Sequence, residues 1–340
     1  MKKITVLLLA LFMLVSALAG CGKQNDTNQT DKLSIVTTIF PEYDWVREIL
    51  GDKADNAEIT MLLDNGVDLH SYQPTADDIV KISDCDLFIY VGGESDEWVE
   101  DALRNAANRN MKVINLLEVL GDSVKTEEIV EGMQEEEHED AEEHEHEDAH
   151  AHEDAEEHEH EEETDEHVWL SLKNAKMLVR VISKALQELD PDNKDIYAAN
   201  ADAYVKKLSA LDAEYQAAVD AASNKTILFG DRFPFRYLVD DYGLRYYAAF
   251  VGCSTETEAG FETISFLAKR VDEWKLPCVL TIEGARHKIA ETIVRNTTAK
   301  NQRVLTMDSM QSTTSKDVKN GTTYLSVMEK NLSVLKEALR

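Results

Sequence analysis

The stretch DPDNKDIYAANADAYVKKLSALDAEYQAAVDAAS, residues 190–223, carries the longest helical signal in the chain. Asp190 stands where a cap belongs and Pro191 at the first helical position, where a missing N–H costs nothing. Ile196, Tyr204, Leu208, Leu211, Tyr215 and Val219 then recur at helical spacing. At 1.5 Å per residue the predicted helix is about 45 to 50 Å long, enough to serve as a stiff spine. On its N-terminal side, β-rich runs at 34–38, 58–62, 87–91 and 112–115 alternate with amphipathic stretches. On its C-terminal side the runs are 226–229, 245–249, 278–282 and 304–307, separated by helical segments such as 260–275 and 286–297. Strands alternating with helices give crossover units and parallel sheets. The predicted fold is therefore α/β, with two parallel-sheet lobes joined by one long rigid helix.

The 340 residues carry a formal charge of −31, with 35 Lys and Arg against 66 Asp and Glu. Such a charge makes nucleic acid a poor partner. It is also unevenly spread: residues 135–166 hold 20 acids, seven His, four Ala and one Thr, and no base. Outside this tract the balance is −11, and a hydrophobic content of 43% permits well-packed cores. A wholly disordered acidic protein and a multi-span membrane protein are both excluded.

Lys2 and Lys3 precede an apolar run over 4–19 that is too short for a comfortable membrane span of about 20 residues. It reads as an export signal. Its end, Leu18-Ala19-Gly20-Cys21, resembles the bacterial lipobox, in which the signal is cut before a cysteine that is then lipid-modified. The polar segment after Cys21 suits a flexible tether. The expected organisation is a signal peptide at 1–20, a lipid-anchored tether at 21–32 and an N-terminal lobe at 33–190. That lobe includes a disordered acidic loop at about 121–166; the linking helix follows at 191–223 and the C-terminal lobe at 224–340. With Cys21 lipidated, Cys85, Cys253 and Cys278 remain, and an exported location permits disulfides. Cys253 and Cys278 fall in the same half and form the expected pair, although sequence alone does not fix connectivity.

Three of the ten histidines lie outside the tract: His70, His167 and His287. His70 occupies a turn-rich loop after the second strand, Asp64-Asn65-Gly66-Val67-Asp68-Leu69-His70-Ser71-Tyr72-Gln73-Pro74-Thr75. His167 lies in Asp165-Glu166-His167-Val168-Trp169-Leu170-Ser171, just before a helix, while Glu283 and Asp308 each follow a strand. Ligands of open parallel sheets bind at the carboxyl ends of strands. Together these groups fit a metal cleft between the lobes.

The loop Gly66 to Thr75, the segment Glu166 to Ser171 and the long spine resemble the metal-binding solute-binding lipoproteins of ABC importers, the zinc and manganese group. The resemblance covers about residues 33–340. It implies a protein that captures Zn²⁺ outside the cell, as a monomer held to the membrane by its lipid, and delivers it to an ABC permease and its ATPase. It also implies that Asp308, in Leu305-Thr306-Met307-Asp308, is a carboxylate ligand beside His70 and His167. Many zinc members place a third His after the first strand of the second lobe; here that position falls on Arg232. A guanidinium has no lone pair to offer a metal, and it is expected to pair with Asp308 or Glu283 instead. His70, His167 and Asp308 with a water would still make a tetrahedral zinc site. Glu283 is a further candidate ligand, and His287, four residues on, a replacement if both begin one helix. Two neutral imidazoles favour zinc over magnesium or calcium and do not exclude manganese, copper or nickel.

A His-rich acidic insertion is likewise typical of the zinc members. His138, His144, His146, His150, His152, His158 and His160, set among carboxylates, read as a mobile low-affinity metal antenna, since the tract has no large apolar side chain with which to fold. The chain is not expected to be an enzyme: a metalloenzyme, for which the ligand set could leave an open position, comes behind a binding protein because Glu283 is its only obvious candidate base. A manganese importer component and a surface adhesin, a role also described for anchored members of this group, stay as alternatives.

Overall fold

The computed structural model describes residues 32–134, 163–254, 256, 258–284 and 287–340. The expected signal peptide, Cys21 and the seven tract histidines lie outside the described residues. In the first half, β1 (Leu33–Thr37), β2 (Ala57–Met61), β3 (Leu87–Tyr90) and β4 (Lys112–Asn115) form an all-parallel sheet of order β2-β1-β3-β4. The helices α1 (Phe40–Leu50), α2 (Ala76–Asp84), α3 (Trp98–Arg104) and α4 (Leu116–Leu120) follow them in turn. Ile35, Val36, Leu87, Phe88 and Ile89 are buried, as expected of strands covered by helices on both faces.

Next come α5 (Leu172–Leu189) and the spine, α6 (Lys194–Ala221). The spine's α-helix begins three residues later than the sequence places it, because Pro191–Asn193 forms a 3₁₀ turn. Asp190 does not cap the backbone; its Oδ2 accepts from the Asn193 amide at 2.8 Å and from the Tyr197 hydroxyl at 2.6 Å. The buried stripe runs Tyr197, Ala201, Tyr204, Leu208, Leu211, Tyr215 and Val219. Ile196, one residue out of that phase, is 43% exposed rather than in the core.

The second half repeats the first in outline. It comprises β5 (Thr226–Leu228), β6 (Arg232–Phe233), α7 (Arg236–Tyr242), β7 (Arg245–Tyr247), β8 (Phe250–Val251), α8 (Phe261–Trp274), β9 (Cys278–Thr281), α9 (Lys288–Asn296), β10 (Arg303–Thr306), α10 (Ser315–Lys319) and α11 (Tyr324–Ala338). The parallel pairs β5/β7 and β9/β10 are joined by a parallel bridge from Phe229 to Leu280. The resulting order, β7-β5-β9-β10, matches that of the first sheet. β6 and β8 add a two-residue parallel ladder.

Residues 33–340 form one compact unit. Its main core runs from Ile35 and Trp45 through Leu208 and Tyr215 to Tyr237 and Met328, so the spine is packed on both sides. Asn200 on the spine donates to Ile49 O, and Tyr215 OH to Met328 O at 2.6 Å. The C-terminal helix returns to the first half, where Asp44 Oδ2 accepts from Tyr324 N at 2.9 Å. Among the described residues no helix is long and apolar enough to cross a membrane.

The expected disorder over 121–166 is too broad. Residues near both ends of that range are fastened to the body: Thr126 and Thr164 form an antiparallel bridge, Asp165 N donates to Lys125 O, and Gln134 N to Ala249 O. Backbone groups that find such partners stay in place.

Burial raises the Asp44 carboxyl to about 7, well above the ordinary carboxylate range. The folded chain therefore holds a proton there that the unfolded chain has lost, and stability falls as pH rises from about 4 to 7. The ceiling on this contribution is about 4 kcal/mol, at about 1.4 kcal/mol per pH unit. Asp44→Asn keeps an acceptor for Tyr324 N and removes the charge. In thermal melts the variant should match or exceed the parent at pH 8, lose that advantage at pH 5, and show a shallower slope between. Parallel slopes would mean that Asp44 ionises freely in the fold.

Candidate metal centre

His70 is presented by a 3₁₀ turn, Leu69–Ser71, capped by Asp68, whose Oδ1 accepts from His70 N at 3.1 Å. Leu69 is fully buried beneath the turn and sets its depth. His167 precedes a second 3₁₀ turn, Val168–Leu170, whose residues are all fully buried. Trp169 Nε1 donates to Ser309 O at 2.8 Å, and Trp169 O accepts from Tyr324 OH at 2.7 Å. Ser171 then caps α5 by accepting from Asn174 N at 3.0 Å.

These two turns bring the edges of the imidazoles together, the ring planes tilted by 56°, with Nε2 of His70 and Nε2 of His167 3.2 Å apart. Each ring is held from behind through Nδ1. For His167 the partner is Asp165 Oδ1 at 3.0 Å, which also accepts from His167 N at 2.8 Å. For His70 it is Ser95 Oγ at 2.8 Å, with Glu166 Oε2 at 3.4 Å. Carboxylates and hydroxyls behind Nδ1 fix the tautomer that leaves Nε2 free to ligate. Glu166 reaches this place because Gly93, at φ +83°, has no side chain; a Cβ there would lie 2.3 Å from Glu166 Oε1.

The electrostatics divide the pair. Burial and the neighbouring His167 hold His70 well below the ordinary imidazole range, which leaves its ring neutral. Burial also works against a charge on His167, but Asp165, Asp68 and Glu127 together outweigh it and raise that group. Gln311 completes the floor, its side-chain amide 3.2 Å from His167 Nε2 and 2.8 Å from Asp68 Oδ1.

The other sequence candidates lie apart from this pair. Glu283 accepts from Ser309 N at 2.6 Å, Ser309 Oγ at 2.7 Å and Gln311 N at 3.1 Å, and so organises the loop that carries Gln311. Asp308 Oδ1 accepts from Met310 N at 2.8 Å, while its backbone N and O both bond to the Asn331 side chain. Burial raises both carboxyls, with Asp308 adding to the effect on Glu283. His287 precedes α9 in a left-handed conformation, φ +42°, so it shares no helical face with Glu283; its Nδ1 is 3.1 Å from Thr281 Oγ1. Arg232 pairs with neither expected carboxylate. It reaches across to Asp68 Oδ2 at 2.6 Å and donates to Ser254 O at 3.2 Å, while Glu283 and Asp308 accept from residues 309–311.

Among the described residues, the group of three metal-capable donors is His70, His167 and Cys253, whose ligand atoms all lie within 4.8 Å of one another. The expected Cys253–Cys278 disulfide is not formed, and both thiols are free. Cys278 is buried at the head of β9, whereas Cys253 lies beyond β8 at the imidazole pair. A cavity of about 820 Å³ is lined by Asp68, Asp231, Arg232, Glu283, His287 and Gln311, of which Asp68 and Gln311 bond to His70 and His167.

Two α/β halves over a packed spine, with a donor cluster drawn from both halves, describe a two-lobed solute-binding protein. A family model described as the periplasmic zinc-uptake complex component A, ZnuA, matches residues 35–338, and the chain belongs to that family. The zinc-binding lipoprotein AdcA of Streptococcus pneumoniae serotype 4 is 33% identical over 337 residues, covering 99% of this chain and 61% of AdcA. The chain thus spans about three fifths of that relative's length. The high-affinity zinc uptake system protein ZnuA of Bacillus subtilis is 31% identical over 331 residues, which cover 97% of this chain and 95% of the relative. Among solved structures, the Zn(II)-bound ZnuA-like domain of Streptococcus pneumoniae AdcA aligns with a TM-score of 0.67 at 29% identity, over 91% of this chain and 99% of that one.

Proposed function

We propose that this chain captures Zn²⁺ outside the cytoplasmic membrane and passes it to an ABC permease driven by its ATPase, with no catalytic turnover of its own. The observation that carries this reading is the pair of Nε2 atoms 3.2 Å apart, each ring braced through Nδ1. Two lone-pair positions at that spacing are prepared for a shared cation, and imidazole donors suit zinc better than the hard oxygen-seeking ions. The names of the AdcA and ZnuA relatives point to the same metal. In this reading Cys21 holds the chain to the membrane by a lipid, and the seven tract histidines gather metal near the cleft at lower affinity. The spine, packed on both halves, leaves little room for wide spontaneous opening, so release belongs to docking on the permease.

Zinc titration against a competing chelator tests this. The full chain should show one tight equivalent and several weaker ones. Deleting residues 135–162 should abolish the weaker class and keep the tight one, which Mn²⁺ should not displace. Absence of a tight equivalent, or its loss with the tract, would refute the assignment.

A further inference from the structure

The reading above leaves the third protein donor unassigned, since Asp308 and Glu283 are committed to the loop at 309–311 and position 232 is an arginine. We propose that Cys253 supplies it, so that the cargo site is a two-imidazole, one-thiolate set: Nε2 of His70, Nε2 of His167 and Sγ of Cys253. The inference deepens the zinc-capture reading and rests on it.

Three observations support it. First, the distances suit one ion. Donors at zinc–nitrogen and zinc–sulfur bond lengths around a tetrahedral centre lie about 3.3 to 3.6 Å apart; here the two Nε2 atoms are at 3.2 Å, and Cys253 Sγ stands within 4.8 Å of a ring nitrogen of each histidine. Second, the loop bearing Cys253 is held against the imidazoles rather than loosely near them. Cys253 N donates to Glu127 Oε1 at 2.8 Å, and the next carbonyl, Ser254 O, accepts from Arg232 at 3.2 Å. Between β8 and Cys253 stands Gly252, where a Cβ would be 3.1 Å from the His167 ring and 3.0 Å from Phe233 O, so a side chain there would press the loop away from the imidazole. Third, the surroundings ask for a cation. Glu166, 2% exposed, leaves Oε2 without a hydrogen-bond donor 3.4 Å from His70 Nδ1.

The arginine at 232 then has a positioning role. It cannot ligate, but its guanidinium braces the Cys253 loop on one side and Asp68, the cap of the His70 turn, on the other. A sulfur donor replaces the nitrogen donor that the arginine removes. On binding, one metal–sulfur bond forms, the thiol S–H breaks and its proton passes to bulk water. A thiolate selects borderline and soft ions, Zn²⁺ and Cd²⁺, over Mn²⁺.

The test uses the full chain stripped of metal and given one equivalent of Co²⁺. A thiolate-to-cobalt charge-transfer band should appear in the near ultraviolet and disappear in Cys253→Ser, whose zinc affinity should fall at least tenfold while Mn²⁺ affinity changes less. In the parent chain, peptide mapping should show Zn²⁺ protecting Cys253 from alkylation, a readout that needs no variant to fold. Tight cobalt uptake without the band, or alkylation of Cys253 unaffected by Zn²⁺, would overturn the thiolate assignment and leave zinc capture standing. No tight uptake of Co²⁺ or Zn²⁺ by the parent would overturn both.

Discussion

His167→Ala is expected to lower zinc affinity by about 10²- to 10³-fold. Structural zinc sites bind with about 10–16 kcal/mol, so each of about four donors is worth roughly 3 kcal/mol, and every 1.4 kcal/mol is about tenfold. His70→Ala should cost a similar factor, because the two rings meet at their edges as equal donors. The variants should differ in the metal-free state. The His167 side chain is fully buried, against 7% exposure for His70, and its loss leaves a hole beside Trp169 and removes the Nδ1 partner of the buried Asp165. Asp165 would keep its bond from the backbone N of residue 167. Chelator competition reads the affinity, and thermal melts with and without zinc read its linkage: at about 1,000 times Kd a ligand adds about 4 kcal/mol to the folded state. That zinc-dependent gain should shrink in both variants. Parent-like affinity in both would place the tight site elsewhere.

How much of this could be read from the chain differs between fold and site. All eight expected strands recur within two residues of their expected limits, because each is a short β-rich run closed by turn chemistry. The β6/β8 ladder is two residues long per strand and leaves no periodicity to read. Ile196 misled because apolar character alone sets the helical phase only loosely; Tyr197, one position on, carries the packing. For the site, His70 and His167 stood out as rare residues in ordered loops outside the tract. Cys253 did not, since its approach to His167 is made by Gly252 and by Glu127, 126 residues away, and such closure leaves no spacing in the sequence. The same holds for Arg232. Its charge excluded ligation, but the choice of Asp68 over Asp308 or Glu283 depends on how the first-half turn comes down on β6. Glu283 and Asp308 sit after strands as expected, yet the backbone N–H groups of the following loop claim them first.

Trp169→Ala should destabilise the fold by about 3–5 kcal/mol, the range for deleting a buried aromatic side chain from a core, which corresponds to a fall of roughly 6 to 10 °C in Tm for a domain of this size. The side chain is fully buried, and its indole N–H satisfies Ser309 O, a carbonyl in the loop whose neighbouring amides bind Glu283. Trp169→Phe separates the two contributions. It keeps most of the apolar area and orphans the carbonyl, for which about 1–3 kcal/mol is the expected cost. Since Gln311 lies on the same loop and touches His167, a loosened loop should also weaken zinc binding in Trp169→Phe, by about tenfold at most, below the 10- to 100-fold typical of groups that bond directly to a metal ligand. Full zinc affinity in a Trp169→Phe protein that melts several degrees early would show that the indole supports the core alone, and that the imidazole pair is positioned by Asp165 and Ser95 without help from the loop at 309–311.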